Sequence, residues 1–208
     1  MEYAFTNARH SLAHNAVPSA FRTPQSPASA MRVLGLCGSL RRESRSLALL
    51  QATQLLAAGR MDFTIHEGLG EMPLFNPDLE ANPPASVLKL WHAISWAEAV
   101  VIVSPEYAHG VTGTIKNTLD WLVGYIPFTN KPVAVINPSH RAVHADESLR
   151  EILQTMSAQF IADACLRIPV THCNLDAGEL AAANEIAALI NSALNALERV
   201  QSRTESPH

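Results

Sequence analysis

Cysteine is scarce: Cys37, Cys165 and Cys173 are the only three in 208 residues. An odd count with no Cys-x-x-Cys spacing argues against a disulfide framework and against a structural zinc site. Long apolar runs are missing too, and none approaches the ~20 residues that a membrane-spanning helix needs. Positive charge is in deficit, with 15 Lys and Arg against 19 Asp and Glu. That balance excludes a generally basic protein coating nucleic acid. The nine glycines form neither GxxxxGK followed by Ser or Thr, nor GxGxxG. A nucleoside-triphosphate loop and the dinucleotide fingerprint are therefore both out. What is present is apolar enough to bury a core, with 48% hydrophobic and 16% charged residues, and too apolar for a disordered chain. The expectation is a soluble, cytoplasmic, globular protein of one domain or two small ones.

The first 30 residues stand apart. MEYAFTNARHSLAHNAVPSAFRTPQSPASA is rich in Ala, Ser and Pro, has no sustained periodicity and lacks the apolar block of a secretory signal. It is expected to be a disordered extension, with an arm packed on a neighbouring subunit as the alternative. The domain is then expected over 31–202, with a short tail at 203–208.

From Met31 the pattern alternates between strand and helix. Arg32–Cys37 reads as a buried strand closed by Gly38-Ser39, and Ser44–Ala58 as a helix with Leu49, Ala52 and Leu56 on one face. Phe63–His66 is a second strand. The segment 67–84, with four prolines, must be a long shaped loop. Ala85–Ala97 is helical, and Ala99–Ser104 is the clearest buried strand, stopped by Pro105. Thr114–Val123 reads as helix, Pro132–Asn137 as strand, Ser148–Phe160 as helix and Leu166–Val170 as a last strand. Glu179–Val200 closes the chain as a helix whose apolar stripe is Ile186, Leu189, Ile190, Ala193, Leu197 and Val200. Strands separated by helices imply an α/β fold, a parallel sheet covered on both faces. Ligands in such sheets bind beyond the carboxyl ends of the strands. The loops at 38–46, 67–84, 105–113 and 138–147 are therefore the ones to inspect.

The first loop, Gly38 to Ser46, combines small hydroxyl residues, an arginine cluster and a helix N-terminus, the chemistry that favours an anion. A phosphatase loop built on a Cys37 nucleophile would need an arginine where Glu43 stands. One terminal phosphate monoester, as on a mononucleotide flavin, remains the candidate. The same residues also suit an ordinary capped turn, with Ser39 or Ser44 as the cap. The third loop offers Pro105, Glu106, Tyr107 and a glycine-bounded segment at a strand's carboxyl end, where backbone amides can read the edge of a flat heterocycle. Trp121 reads as core, and Lys116 and Asp120 as an i, i+4 pair.

The stretches GLCGSLRRESRS, MPLFNPDLE and SPEYAHGVTGTIKNTLDWLVG, in this order and spacing, resemble the NADPH-dependent FMN reductase family over about residues 31–200. The resemblance implies a flavodoxin-like doubly wound sheet of five parallel strands in the order 2-1-3-4-5. It also implies non-covalent FMN, NADPH or NADH as donor, a homodimer or homotetramer, and a small acceptor such as free flavin, a quinone, an azo compound or an oxidised metal ion. By the same resemblance Ser39, Arg41, Ser44 and Ser46 would hold the FMN phosphate. Pro105, Glu106, Tyr107, Ala108, His109 and Gly110 would lie along the ring, with Ser139, His140, Arg141 and Ala142 approaching it from the fourth loop. No side chain is expected to act as nucleophile or general acid, because the cofactor carries the chemistry.

Three departures stand out. Ser46 occupies a position where the family often has Asn, Ala108 follows Tyr107 in place of Asn, and the loop NPSHRAVHAD has no glycine. His140 and His144 with Asp146 suggest a metal, yet no further ligands follow at a recognised spacing. Cys37 is expected in the core. A flavodoxin-type electron carrier without NAD(P)H activity is the alternative reading, and a module that has lost flavin is a second.

Overall fold

The computed structural model describes residues 30–170 and 174–204. The expected extension up to residue 29, Cys173 and the last four residues lie outside the described residues. The chain runs β1 (Met31–Cys37), α1 (Arg45–Ala57), β2 (Met61–Ile65), α2 (Ala85–Trp96), β3 (Ala99–Val103), β4 (Glu106–Tyr107), β5 (Gly110–Val111), α3 (Gly113–Asp120), β6 (Pro132–Asn137), α4 (Val143–Thr155), β7 (Gln159–Phe160), β8 (Leu166–Arg167), α5 (Ala177–Ala182) and α6 (Asn184–Thr204).

The main sheet has the order β2-β1-β3-β6, and both β7 and β8 pair with β6. Every pairing in it is parallel, from Met31 against Met61 to Asn137 against Arg167. Leaving out the small hairpin, this is the 2-1-3-4-5 order expected, which is the flavodoxin-like arrangement. The alternation of the strands divides the core into two. Val33, Val101, Val103 and Ile136 pack with Leu49 and Leu50 of α1, Leu180 of α5 and Leu194 and Leu197 of α6. Their neighbours Leu34, Leu36, Val100 and Ile102 pack on the other face with Leu90 and Ile94 of α2, Ile115 of α3 and Leu149 of α4. Each such side chain contributes roughly 1.5–3 kcal/mol by leaving water. The fold therefore rests on strands that are apolar on both sides.

Four elements differ from expectation. The fifth strand is split: β7 pairs with Pro132 and Val133, β8 with Ile136 and Asn137, and a single turn at Ala162–Ala164 separates them. The sheet thus has six strands in five positions. The fourth helix starts at Val143 and ends at Thr155, not Ser148 and Phe160, because a distant carboxylate caps it and Ser157 turns left-handed at φ 56°. The final helix is two, α5 opening on a capping box between Asp176 and Glu179. In α6 Leu194 is fully buried while Leu189 is exposed, so the buried stripe is rotated from the one expected. Helix α3 stops at Asp120, short of Val123. Trp121 and Cys37 are core residues as expected. At the outer edge of the sheet, the Gln54 side-chain amide donates to the carbonyl of Phe63 at 2.8 Å.

The carboxyl ends of β1 and β3 are drawn together by Gly38 N–H donating to Val103 O at 2.8 Å. A Cβ on Gly38 would overlap Ser104 Oγ and Cβ and press on Ile115 Cγ1. Gly38→Ala should therefore destabilise the protein by about 1–3 kcal/mol. Denaturant unfolding followed by circular dichroism would show it, and an unshifted midpoint would mean that the loop yields without cost.

Candidate active site

Three loops at the carboxyl end of the sheet meet around one cleft of about 360 Å³. The first lies between β1 and α1. Ser44 stands at the N-cap of α1 in extended conformation, and its Oγ accepts from Leu47 N–H at 3.2 Å. Ser39 Oγ accepts from Arg41 N–H at 3.4 Å, so the loop is braced by its own hydroxyls. Ser39, Ser44 and Ser46 are all buried. The first turn of α1 carries no acidic residue, which leaves the positive end of its dipole unneutralised. Arg45 points into the same wall and donates to Asn174 Oδ1 at 2.5 Å. Beneath it, Cys37 Sγ donates to Ser39 O, and burial pushes the thiol up from its usual range. Cys37 is thus a packed thiol and not a reactive one.

The second loop folds as the β4–β5 hairpin. Its turn, Ala108-His109, has φ of 50° and 57°, the left-handed pair that two-residue hairpins require and that Asn-Gly would ordinarily supply. Pro105, Glu106 and Tyr107 line the cleft. The Tyr107 residue is 52% exposed, so it is not core. Glu106 is the opposite case, with a side chain only 13% exposed. Its Oε2 accepts from Ala145 N–H at 2.8 Å in the first turn of α4, and Oε1 lies 3.4 Å from His109 Nδ1. The cap residue of α4, Ala142, has no side chain able to do this, so Glu106 supplies the missing acceptor across the cleft. Below the hairpin, Ser104 Oγ and Thr112 Oγ1 lie 3.3 Å apart, and Thr112 caps α3 through Ile115 N–H.

The third loop follows β6. Asn137, buried, accepts from Ser139 N–H and donates to Ala142 O, both at 3.0 Å, while Ser139 Oγ accepts from Arg141 N–H at 3.2 Å. Side-chain hydrogen bonds thus shape a turn that has no glycine. Pro138, Ser139, Arg141 and Ala142 complete the cleft.

Of the residues named from sequence, Ser39, Arg41, Ser44, Ser46, Pro105, Glu106, Tyr107, Ser139 and Arg141 line this single cleft, as does Ala142. Ala108, His109, Gly110 and His140 do not line it. Arg45 and Pro138 do, and were not anticipated. Arg45 had a usable signal, since it opens the helix whose N-terminus formed the suspected anion site. The buried carboxylate of Asp146 accepts from Arg167 at 3.0 Å and Arg150 at 3.3 Å. His144 instead packs edge-on against His109, ring centroids 4.5 Å apart. A second hollow of about 530 Å³ runs between α1 and residues 65–71, lined by Gln51, Gln54, His66 and Glu71. Among the described residues no Lys or Arg lines it. Burial and nearby Lys89 push His66 below its usual range there, so this hollow does not suit a phosphate.

Residues 31–172 match the family model described as NADPH-dependent FMN reductase. The chain belongs to this family. Within the family's reach, it is 33% identical over 138 residues to a quinone reductase of Pseudomonas putida, covering 64% of this chain and 72% of that protein. It is 31% identical over 135 residues to a quinone reductase of Escherichia coli, covering 62% of this chain and 72% of that one. Among solved structures it resembles FerB, a flavoenzyme NAD(P)H:(acceptor) oxidoreductase from Paracoccus denitrificans, with TM-score 0.71 and 28% identity over 82% of this chain and 98% of FerB. The family's flavoenzyme character fits a cleft that joins a hydroxyl- and arginine-lined helix N-terminus to a half-exposed aromatic.

Proposed function

We propose that this chain is a homo-oligomeric, cytoplasmic NAD(P)H oxidoreductase that uses bound FMN to reduce a quinone or free flavin. The carrying observation is the single cleft at the carboxyl ends of β1, β3 and β6, in a chain of the NADPH-dependent FMN reductase family. The residues present fit the cofactor. One wall offers hydroxyls, two arginines and a helix N-terminus for a phosphate, and the other offers Tyr107, Pro105 and backbone for a ring. FMN, when bound, supplies the two-electron chemistry between the nicotinamide and the acceptor.

The chain's own residues then divide the work by position. Ser39, Ser44 and Ser46, with Arg41 and Arg45, hold the phosphate. Tyr107 and Pro105 flank the ring, and Glu106 fixes the distance between the hairpin and α4. Ala108, His109, Gly110 and His140 form the rim. The reading concerns residues 31–202. A quinone as acceptor is supported by the names of the related quinone reductases. Self-association is supported by Leu74 and Ile126, each 83% exposed, with exposed Val123 beside the end of α3. The loop carrying Leu74 is fixed on α3 by Asn117 Nδ2–H donating to Pro73 O at 3.0 Å, and just beyond the helix by Trp121 Nε1–H donating to the same oxygen at 2.9 Å. The free thiols of Cys37 and Cys165 agree with a reducing compartment.

The activity is tested by mixing FMN-loaded protein with NADPH or NADH without oxygen. The flavin absorbance should bleach, and a quinone should restore it. An unbleached flavin with both nicotinamides would instead favour an electron carrier. Light scattering should give a dimer or tetramer mass, and Ile126→Lys should lower it; a monomeric parent protein would reject the assembly.

The two ends of the cleft are separable. A charge-assisted hydrogen bond contributes roughly 1.5–3 kcal/mol, so Arg41→Ala should weaken FMN binding by about 10- to 150-fold. Riboflavin, with no phosphate, should bind the variant nearly as it binds the parent. Tyr107→Ala should weaken both ligands alike. Titration of each variant with both flavins decides it, and equal losses in Arg41→Ala would mean that the phosphate is not held at this wall.

A further inference from the structure

The third wall of the cleft has no glycine with which to bring backbone against a flat ring, and Arg141 lines it instead. We propose that Arg141 sets the reduction potential of bound FMN, placing a fixed positive charge beside the ring where reduction deposits a negative one. The proposal rests on the orientation given above, with the phosphate at the β1–α1 loop and the ring towards the hairpin.

Strand order supports the placement. The loops after β1, β3 and β6 lie side by side, because these strands are neighbours in the sheet. Two strand spacings separate the first loop from the third, ~10 Å. A phosphate held at the first loop therefore leaves the ring end of an elongated cofactor at the third. One phosphate is already matched by Arg41, Arg45 and the N-terminus of α1, so Arg141 is surplus to it.

The Arg141 charge is not taken up by a salt bridge. Among the described residues its guanidinium has no ion pair, although Ser139 fixes its backbone. Among the described residues Glu106 is the only carboxylate lining the cleft, and its two oxygens face Ala145 N–H and His109, on the hairpin and α4 side. Asp146, five residues along, is buried and held by Arg150 and Arg167.

Transfer of two electrons and one proton from NAD(P)H leaves NAD(P)⁺ and one added negative charge on the ring. A charge-assisted contact of ordinary strength favours that charged form over the neutral one by about ten- to a hundredfold. Removing it should weaken the hold on reduced FMN by that factor while oxidised FMN stays bound. Each tenfold change is ~30 mV for a two-electron couple.

The test is a spectroelectrochemical titration of the FMN-loaded protein and of Arg141→Ala, Arg141→Lys and Arg41→Ala, with flavin binding measured for FMN and riboflavin. Arg141→Ala should lower the midpoint potential by ~30–60 mV with similar affinity for both oxidised flavins, and Arg141→Lys should recover most of the loss. Arg41→Ala should lose FMN selectively and keep the potential. An unchanged potential in Arg141→Ala, with or without a raised KM for NADPH, overturns the proposal. So does a loss of FMN but not riboflavin in that variant, which would make Arg141 a phosphate ligand. If Arg41→Ala loses both flavins equally, it is the orientation of the cofactor that fails, and that result is distinct from either of the others.

Discussion

The carboxylate of Glu106 joins two elements that the sheet alone would leave independent. It leaves β4 and reaches the first turn of α4, where Ala145 N–H would otherwise lack an acceptor. A buried N–H without a partner costs about 1–3 kcal/mol, and α4 has no capping side chain of its own. The hairpin therefore needs α4 as an anchor, and α4 needs the hairpin as a cap. Between them lie two of the three walls of the cleft, so the width of the candidate active site depends on this one bond. The strain of the left-handed Ala108-His109 turn, of the order of 1–3 kcal/mol per residue, is tolerated in the same context, with His109 returning to the same carboxylate.

What was legible in the sequence follows from how local each feature is. β1, β3 and β6 are apolar on both faces, a pattern that only a covered parallel sheet satisfies, so they read directly. The cap at Ser44 is encoded within four residues and was also legible. The start of helix α4 was not, because its N-terminal acceptor comes from a residue 39 positions earlier. The split of the fifth strand was hidden for a similar reason. Gln159 and Phe160 carry too little pattern to read as a strand, and gain it only by lying beside Pro132 and Val133. Among the cleft residues, Arg45 lies within the GLCGSLRRESRS stretch, yet its place in the wall emerged only when α1 was oriented in space.

The glycine-free loop shows how one structural need can be met by different chemistry. A turn after β6 must bring backbone round towards the cleft, and small residues are one way to allow it. Here Asn137 instead bonds both ways along the loop, accepting from Ser139 and donating to Ala142. Such a loop is shaped by side-chain hydrogen bonds and not by conformational freedom. It also leaves room for a long cationic side chain where a glycine would offer only an amide.

The two margins of the sheet bear on how this protein can meet copies of itself. An open parallel sheet exposes unpaired backbone along both outer strands, and such edges invite aggregation. On one side the Gln54 amide already occupies the Phe63 carbonyl, and on the other the outermost position is broken into two dipeptides by the turn at Ala162–Ala164. Neither margin offers a long, flat ladder for a strand from another molecule to join. Any encounter between copies of this chain is thereby steered onto helix and loop surfaces.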